Sequence, residues 1–462
     1  MIAKTPLMSA VSFAVVLIAF GLGPNGSAAA QSNEDLQRQI DLLKAQLERL
    51  EQKLHETDTK ARETSPAMLK VEARGAPRFS GDGFRNFKLR GRIQTDIGQV
   101  GDPDDIGTLE DGGFVPDRGL GTTSEIRRAR IGVEGEISDW QYKLEADFAP
   151  GEADIADAFI EYRGFDDIAI AVGQQKTPVS MEELGSTRFI KFMERGGFTD
   201  AFGLSRELGA TIAIGGENWQ WRSGAFLDGG LSGNDEDSGY ILGSRVHYAF
   251  MGENGVAHLG TSVEFRDTGA QETRFRQRPF LHSTDTRLID TGELTANSSF
   301  FVGGEVAGVY GPFNVSGEYG GMIVDLDETA DHPAREAYLQ GGFLHFGYFL
   351  TGERRNYDPA DGLWKRTSPL RPLGEGGWGA FEINVGLDWL DLDDRGDGVF
   401  GGKQTAFAAG LTWVPISHVR VLANFSHLEI DDSPTRVERK GDGSFGRDIS
   451  LNTFGLRTEI DW

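Results

Sequence analysis

From Asn86 to Trp462 the chain alternates apolar and polar positions with a period of two. Residues two apart share one face of a β-strand, so each such run carries one apolar and one polar face. Phe381, Ile383, Val385, Leu387 and Trp389 stand against Glu382, Asn384, Gly386 and Asp388. Tyr142, Leu144, Ala146 and Phe148 oppose Lys143, Glu145 and Asp147 in the same way. Sixteen runs can be placed, near 86–98, 124–137, 140–149, 154–163, 166–174, 208–216, 219–228, 240–250, 256–267, 299–309, 313–324, 336–350, 378–391, 403–413, 418–431 and 449–462. The last carries Phe454, Leu456, Thr458, Ile460 and Trp462 on its apolar face. An even strand count, with some connections very short and others long and polar, predicts an all-β fold. That fold is a 16-stranded antiparallel transmembrane β-barrel with its outer face against outer-membrane lipid.

The N-terminal part follows other patterns. Residues 1–30 read as a signal peptide, with Lys4, an apolar run from Val11 to Leu22, and Ala28-Ala29-Ala30 before Gln31. Residues 31–60 predict a short coiled-coil helix, because Leu36, Ile40, Leu43, Leu47, Leu50 and Leu54 are spaced by alternating fours and threes. Such a narrow seam implies partner copies; a single helix resting on the barrel mouth is the other reading. A polar linker, 61–83, leads to the barrel at 84–462.

Composition narrows the classes. Cysteine is absent, so there is no disulfide framework and no thiolate metal site. The formal charge of −25 argues against nucleic-acid binding. After the export segment no stretch reaches the roughly 18 apolar residues of a spanning helix, as expected where strands do the spanning. The eight histidines lack metal-ligand spacing, and Asp391 to Asp397 reads as an acidic turn, lacking the distal Glu of a calcium loop. No cofactor is implied.

Three basic groupings are candidates for chemistry. Lys88, Arg90 and Arg92 alternate with Phe87, Leu89 and Ile93 and so face the lumen. In the second strand, alternation from Ile131 and Val133 points Arg128 and Arg130 inward and leaves Arg127 undecided unless a bulge intervenes. Arg274, Arg276 and Arg278, if extended, form a column of guanidinium groups roughly 6.6 Å apart. Aligned like charges repel unless an anion is shared, and guanidinium forks match phosphate oxygens. The other reading of each grouping is a solvated face, or internal salt bridges to lumenal Asp and Glu; much of the acidic excess sits in loops and turns at Asp102–Asp105, Asp235–Asp237 and Asp391–Asp397. The segment Lys176 to Phe202 breaks the alternation and supplies Arg188, Lys191 and Arg195. It reads as a loop folded into the lumen, or alternatively as one packed on a neighbouring subunit.

These residues resemble the phosphate-selective porins O and P over nearly all of Phe84 to Trp462. The resemblance rests on Phe87-Lys-Leu-Arg-Gly-Arg-Ile-Gln-Thr-Asp, Glu125-Ile-Arg-Arg-Ala-Arg, Phe192-Met-Glu-Arg195 and Thr273-Arg-Phe-Arg-Gln-Arg. Leu350-Thr-Gly-Glu-Arg-Arg-Asn-Tyr and Gly377-Trp-Gly-Ala-Phe-Glu extend it. It implies a homotrimeric outer-membrane channel with an arginine ladder at Arg274, Arg276 and Arg278 and an eyelet at Arg92, Arg127, Arg128 and Arg195. Two departures, Glu183 for a lysine in the constriction loop and Arg130 for an aromatic, argue against narrow phosphate or pyrophosphate selectivity.

The expectation is a porin for passive diffusion of small anions, phosphate foremost, and not an enzyme. Lys88, Arg90, Arg130, Arg188 and Lys191 are expected as secondary pore lining. The alternatives are a general, weakly selective porin, a barrel-borne hydrolase, and a structural barrel tethered by its N-terminal helix.

Overall fold

The computed structural model describes residues 38, 41–42, 44–53, 70–73, 75, 77–81, 84–101, 106–110, 113–116, 119–149, 151, 153–229, 239–269, 272–327, 335–438 and 445–462. The chain divides after Met68. In the first unit residues 44–53 are helical, and Leu47 and Leu50 of the heptad run are exposed. The export segment and Leu36, Ile40, Leu43 and Leu54 lie outside the described residues.

In the second unit sixteen antiparallel strands close on themselves. They are β1 (Phe84–Val100), β2 (Gly121–Ile137), β3 (Trp140–Asp147), β4 (Asp154–Tyr162), β5 (Ile168–Lys176), β6 (Arg206–Gly215), β7 (Trp219–Leu227) and β8 (Tyr240–Met251). The second half comprises β9 (Gly255–Asp267), β10 (Ala296–Tyr310), β11 (Phe313–Leu326), β12 (Arg335–Phe349), β13 (Ala380–Asp394), β14 (Val399–Ile416), β15 (Val419–Asp431) and β16 (Ile449–Asp461). β16 pairs with β1 from Thr453↔Val100 to Asp461↔Arg92, and Trp462 exchanges backbone hydrogen bonds of 3.0 and 3.2 Å with Gly91. Every predicted strand is present. The predicted linker, however, contains a hairpin, Lys70–Ala73 paired with Pro77–Gly81, which joins the sheet beside the start of β1.

Alternation sorts the side chains as a lipid-facing wall requires. Ile93, Ile131, Leu144, Val246, Leu344 and Leu387 are exposed on the outside. Aromatic pairs flank this band at the turn end, with Trp140–Tyr162 at 4.9 Å and Phe313–Tyr348 at 4.5 Å. Towards the loop end stand Phe425–Phe454 at 4.9 Å and Tyr319–Trp389 at 5.7 Å. An apolar belt between two aromatic girdles is the expected outer surface of a barrel in a bilayer.

The inside is divided. Along β10–β16 the lumen is filled by loops packed on the wall through Phe198, Phe202, Phe275, Phe301, Phe343 and Leu390, and again through Met193, Leu281, Leu288, Leu422 and Leu451. Open space is left along β1–β8.

Two segments do most of the filling. Residues 177–205, between β5 and β6, turn inward as predicted and carry two short helices, α1 (Met181–Leu184) and α2 (Gly197–Ala201). Residues 350–379, between β12 and β13, leave from the end otherwise closed by short turns, and also run into the lumen. There Arg245 donates to the carbonyls of Asp361 (3.3 Å) and Gly362 (3.0 Å), and Trp364 is buried.

The inward loop needs a flat stretch of wall. A Cβ on Gly386 would lie 2.9 Å from the Phe192 ring and 2.7 Å from His345, and one on Gly455 would lie 2.6 Å from the Met193 sulfur. Glycine permits this approach. Gly386→Leu should therefore leave the barrel folded but push Phe192 toward the bore, at a cost of about 1–3 kcal/mol. Single-channel conductance should fall; an unaltered conductance would show that the loop does not rest on this patch.

Candidate functional site

The charged side chains of β1 and β2 face inward at the level of the inward loop. Lys88 donates to Glu134 at 3.0 Å. Arg90 pairs with Glu134, and with Glu145 at 3.4 Å. Arg130 pairs with Asp147 at 2.7 Å and Glu145 at 3.1 Å. Arg92 is buried and donates to the Thr187 hydroxyl at 2.7 Å. Arg128, also buried, donates to the Gln94 side-chain oxygen at 2.8 Å, and its Nε has no partner.

The undecided residue, Arg127, is settled by a register shift. Gln94 pairs with Arg128, whereas Thr95 pairs with Ile126, so Arg127 is the extra residue of a bulge. Ile126 and Ile131 are exposed outside, and Arg127 turns in to form a forked pair with Glu194, 3.1 Å at each oxygen.

The inward loop completes the ring. Because its backbone is irregular, its carbonyls need donors from elsewhere. Arg195 donates to the carbonyls of Glu182 (2.9 Å), Glu183 (3.1 Å) and Gly185 (3.1 Å), and forms an ion pair with Glu183 at 3.0 Å. Arg188 pairs with Asp461 at 2.9 Å. Arg420, from the wall, donates to the carbonyls of Arg188 and Ile190, and Arg355, from the 350–379 insertion, to that of Phe189. Amides of the loop donate to wall carboxylates: Glu182 to Glu318 at 2.6 Å and Gly197 to Asp388 at 2.7 Å.

These elements enclose a narrow cavity of about 60 Å³ that adjoins a chamber of about 600 Å³ toward the turn end. Arg90, Arg92, Arg128, Arg130, Lys143, Lys176, Arg188, Arg195 and Arg206 line the narrow part, with two carboxylates, Glu145 and Asp157. Most of these cations are paired: Lys143 and Arg206 with Asp157 at 2.5 and 2.9 Å, and Lys176 with Glu183 at 3.4 Å. Arg92 and Arg128 are different. Among the described residues neither has a carboxylate within ion-pair distance, and their guanidinium groups are held by neutral oxygens. This narrow cavity therefore carries surplus positive charge.

Other expected positions lie elsewhere. Lys191 does not line the open space: it is buried, donates to Ser316 at 2.7 Å and sits 5.2 Å over the Trp364 ring. Burial, and then the Arg355 charge, push its ammonium well below the usual lysine range. Arg274, Arg276 and Arg278 share the more exposed face of the loop after β9, while Phe275 and Gln277 pack against the wall. They stand apart from the narrow cavity. Two of them are already engaged, Arg274 forked on Asp290 at 2.7 and 2.6 Å and Arg278 with Asp285 at 3.4 Å.

Glu134, Glu145, Asp157, Glu161, Glu305 and Glu382 face inward, because each answers a cation there. Residues 102–105 and 235–237 lie outside the described residues. At 391–397, Lys403 and Arg395 hold Asp391 and Asp393 at 2.9 and 2.7 Å, which fits an acidic turn. Among the described residues no cluster of His, Asp and Glu has the geometry of a metal site.

The family profile described as phosphate-selective porin O and P matches residues 87–445. An uncharacterized protein of Caulobacter vibrioides is 34% identical over 485 residues, covering 96% of this chain and 91% of its own. Among solved structures, the trimer form of OmpT, an outer membrane protein of Vibrio cholerae, superposes with a TM-score of 0.50 at 12% identity, covering 82% of this chain and 99% of that one. An anion-selective porin from Comamonas acidovorans gives a TM-score of 0.48 at 11% identity, with coverage of 82% and 99%.

Glu194 offers a test of the site's electrostatics. Burial raises its carboxyl, but Arg127 and Arg457 outweigh burial and hold it well below the ordinary glutamate value. A depressed carboxylate stays ionised, and keeps its stabilising pairs, until the pH falls below the ordinary range near about 4.3. Glu194→Gln should free Arg127 and move the reversal potential in a salt gradient further toward anions at pH 7. The unsubstituted protein should show no such movement between pH 7 and pH 5; a shift in that window would contradict the assigned pairing.

Proposed function

The chain belongs to the phosphate-selective porin O and P family and is a bacterial outer-membrane porin, a channel rather than an enzyme; from this premise we propose that it conducts small oxyanions, phosphate foremost, past Arg92 and Arg128. The observation that supports the reading is the state of those two guanidinium groups: buried beside the narrow cavity, with no carboxylate among the described residues paired to either. An oxyanion arriving there can replace part of its hydration with forked donors. Passage then depends on binding that is strong enough to admit the ion and weak enough to release it to the next site. Arg90, Arg130, Arg188 and Arg195 contribute field more than direct capture, since each already faces a carboxylate.

A general porin with a transverse field is the second reading, favoured by the dense lumenal ion pairing. Reversal potentials separate the two. Replacing Arg92 and Arg128 with Gln should move the reversal potential toward cations and weaken phosphate block of chloride current by about tenfold or more, given charge-assisted bonds of roughly 1.5–3 kcal/mol each. Unchanged selectivity in that double variant would favour the general porin. Arg274→Ala with Arg276→Ala should weaken block by a smaller factor, because Asp290 already occupies Arg274; block that stays the same would remove this column from the anion path.

We further read the assembly as a homotrimer, with residues 1–30 cleaved on export and the heptad run at 31–60 aiding oligomerisation. Support comes from the period of that run and from the trimer form of the Vibrio cholerae relative.

A further inference from the structure

We propose a second anion station in the wide chamber on the turn side, centred on Arg222 of β7. It rests on the anion-channel reading above and adds a site which that reading does not use. Arg222 points into the chamber of about 600 Å³, on the wall formed by β7 and β8. Its Nε is buried without a partner, and among the described residues it has no ion pair. Directly across the strand pair stands Arg245, its register partner. Like charges placed opposite each other on one face repel.

The neighbouring groups do not resolve this. Arg245 is consumed by Glu305 at 2.6 Å and by the insertion carbonyls of Asp361 and Gly362. The carboxylates nearest in the chamber are also committed, Glu161 to Arg163 and Asp361 to Lys365 at 2.7 Å. Arg222 therefore remains a cation with spare donors, lining the chamber and held beside a second cation. A guanidinium left so costs free energy unless something shares its charge, and a buried donor without an acceptor costs about 1–3 kcal/mol. A small oxyanion leaving the narrow cavity would share that charge by accepting from the terminal N–H groups, with the buried Nε left to hold the guanidinium plane in place. Two stations in series, Arg92 with Arg128 and then Arg222, let one anion help displace the next.

The test uses the full-length protein in planar bilayers, with inorganic phosphate titrated against chloride current. Two saturation stages are expected in the unsubstituted channel. Arg222→Gln should remove one stage, raising its half-saturating concentration about tenfold or more. The stage due to Arg92 and Arg128 should persist. Arg222→Lys, which keeps the charge, should retain both stages, and this guards against a merely structural effect. If Arg222→Gln keeps both stages with unchanged midpoints, the station is refuted while the anion reading stands. If the unsubstituted channel shows no anion preference and no block, the anion reading itself fails and this station with it.

Discussion

Arg457 is the hinge of the architecture. It lies on β16, is 1% exposed, and donates to both oxygens of Asp96 on β1, its register partner across the closing seam, at 2.7 and 2.6 Å. The same guanidinium reaches Glu194 at 2.6 Å and the Met193 carbonyl. Glu194 in turn holds Arg127. One buried side chain thus joins the first strand, the last strand and the tip of the inward loop. Removing one partner from such a network leaves an uncompensated charge, which is far more damaging than losing a surface pair. The same side chain therefore serves both the closing seam and the placement of the constriction.

This coupling explains how a protein with 71 acidic and 46 basic residues can present a cationic throat. Selectivity depends on the local balance at the narrow level, not on the sum over the chain. Most lumenal acids and bases cancel in pairs that hold the loops. What is left unbalanced at that level is Arg92 and Arg128, whose partners are a hydroxyl and an amide oxygen. The departure at Glu183 is absorbed in the same way: Arg195 and Lys176 take up its charge. The departure at Arg130 is likewise answered, by Asp147 and Glu145.

Strand positions were legible because lipid outside and water inside impose the same period of two along most of each strand. The inward turn of 177–205 was legible because the period broke over a stretch too long for a simple connection. Arg127 could not be placed, since a bulge is a property of two paired strands and one strand's alternation does not reveal it. The 350–379 insertion escaped notice for a related reason. Its inward course depends on acceptors and donors of distant strands, Arg245, His247 and Glu382 among them. A local signal for the filled half of the lumen did exist. Phe300, Phe301 and Val302 run apolar on both faces, as do Leu390 with Trp389 and Leu339 with Tyr338. Such double-sided positions fit a wall with lipid on one side and packed loop on the other.

That filled half also accounts for where the free cations stand. The inward loop is held from the wall side by Arg420 and Arg457 and from the turn side by Arg355, whose Nη1 is itself shared between the two oxygens of Glu382 at 3.1 and 3.2 Å and whose guanidinium stands 5.0 Å over Trp364. Guanidinium groups on this side spend their donors on carbonyls and carboxylates of the packing. On the opposite side, along β1–β8, the loops touch the wall at fewer points and leave the two cavities open. Arg92, Arg128 and Arg222 there keep donors that the fold does not use. The asymmetry of the packing sorts identical side chains into two groups, clamps where the lumen is full and cations without a carboxylate partner where it is open.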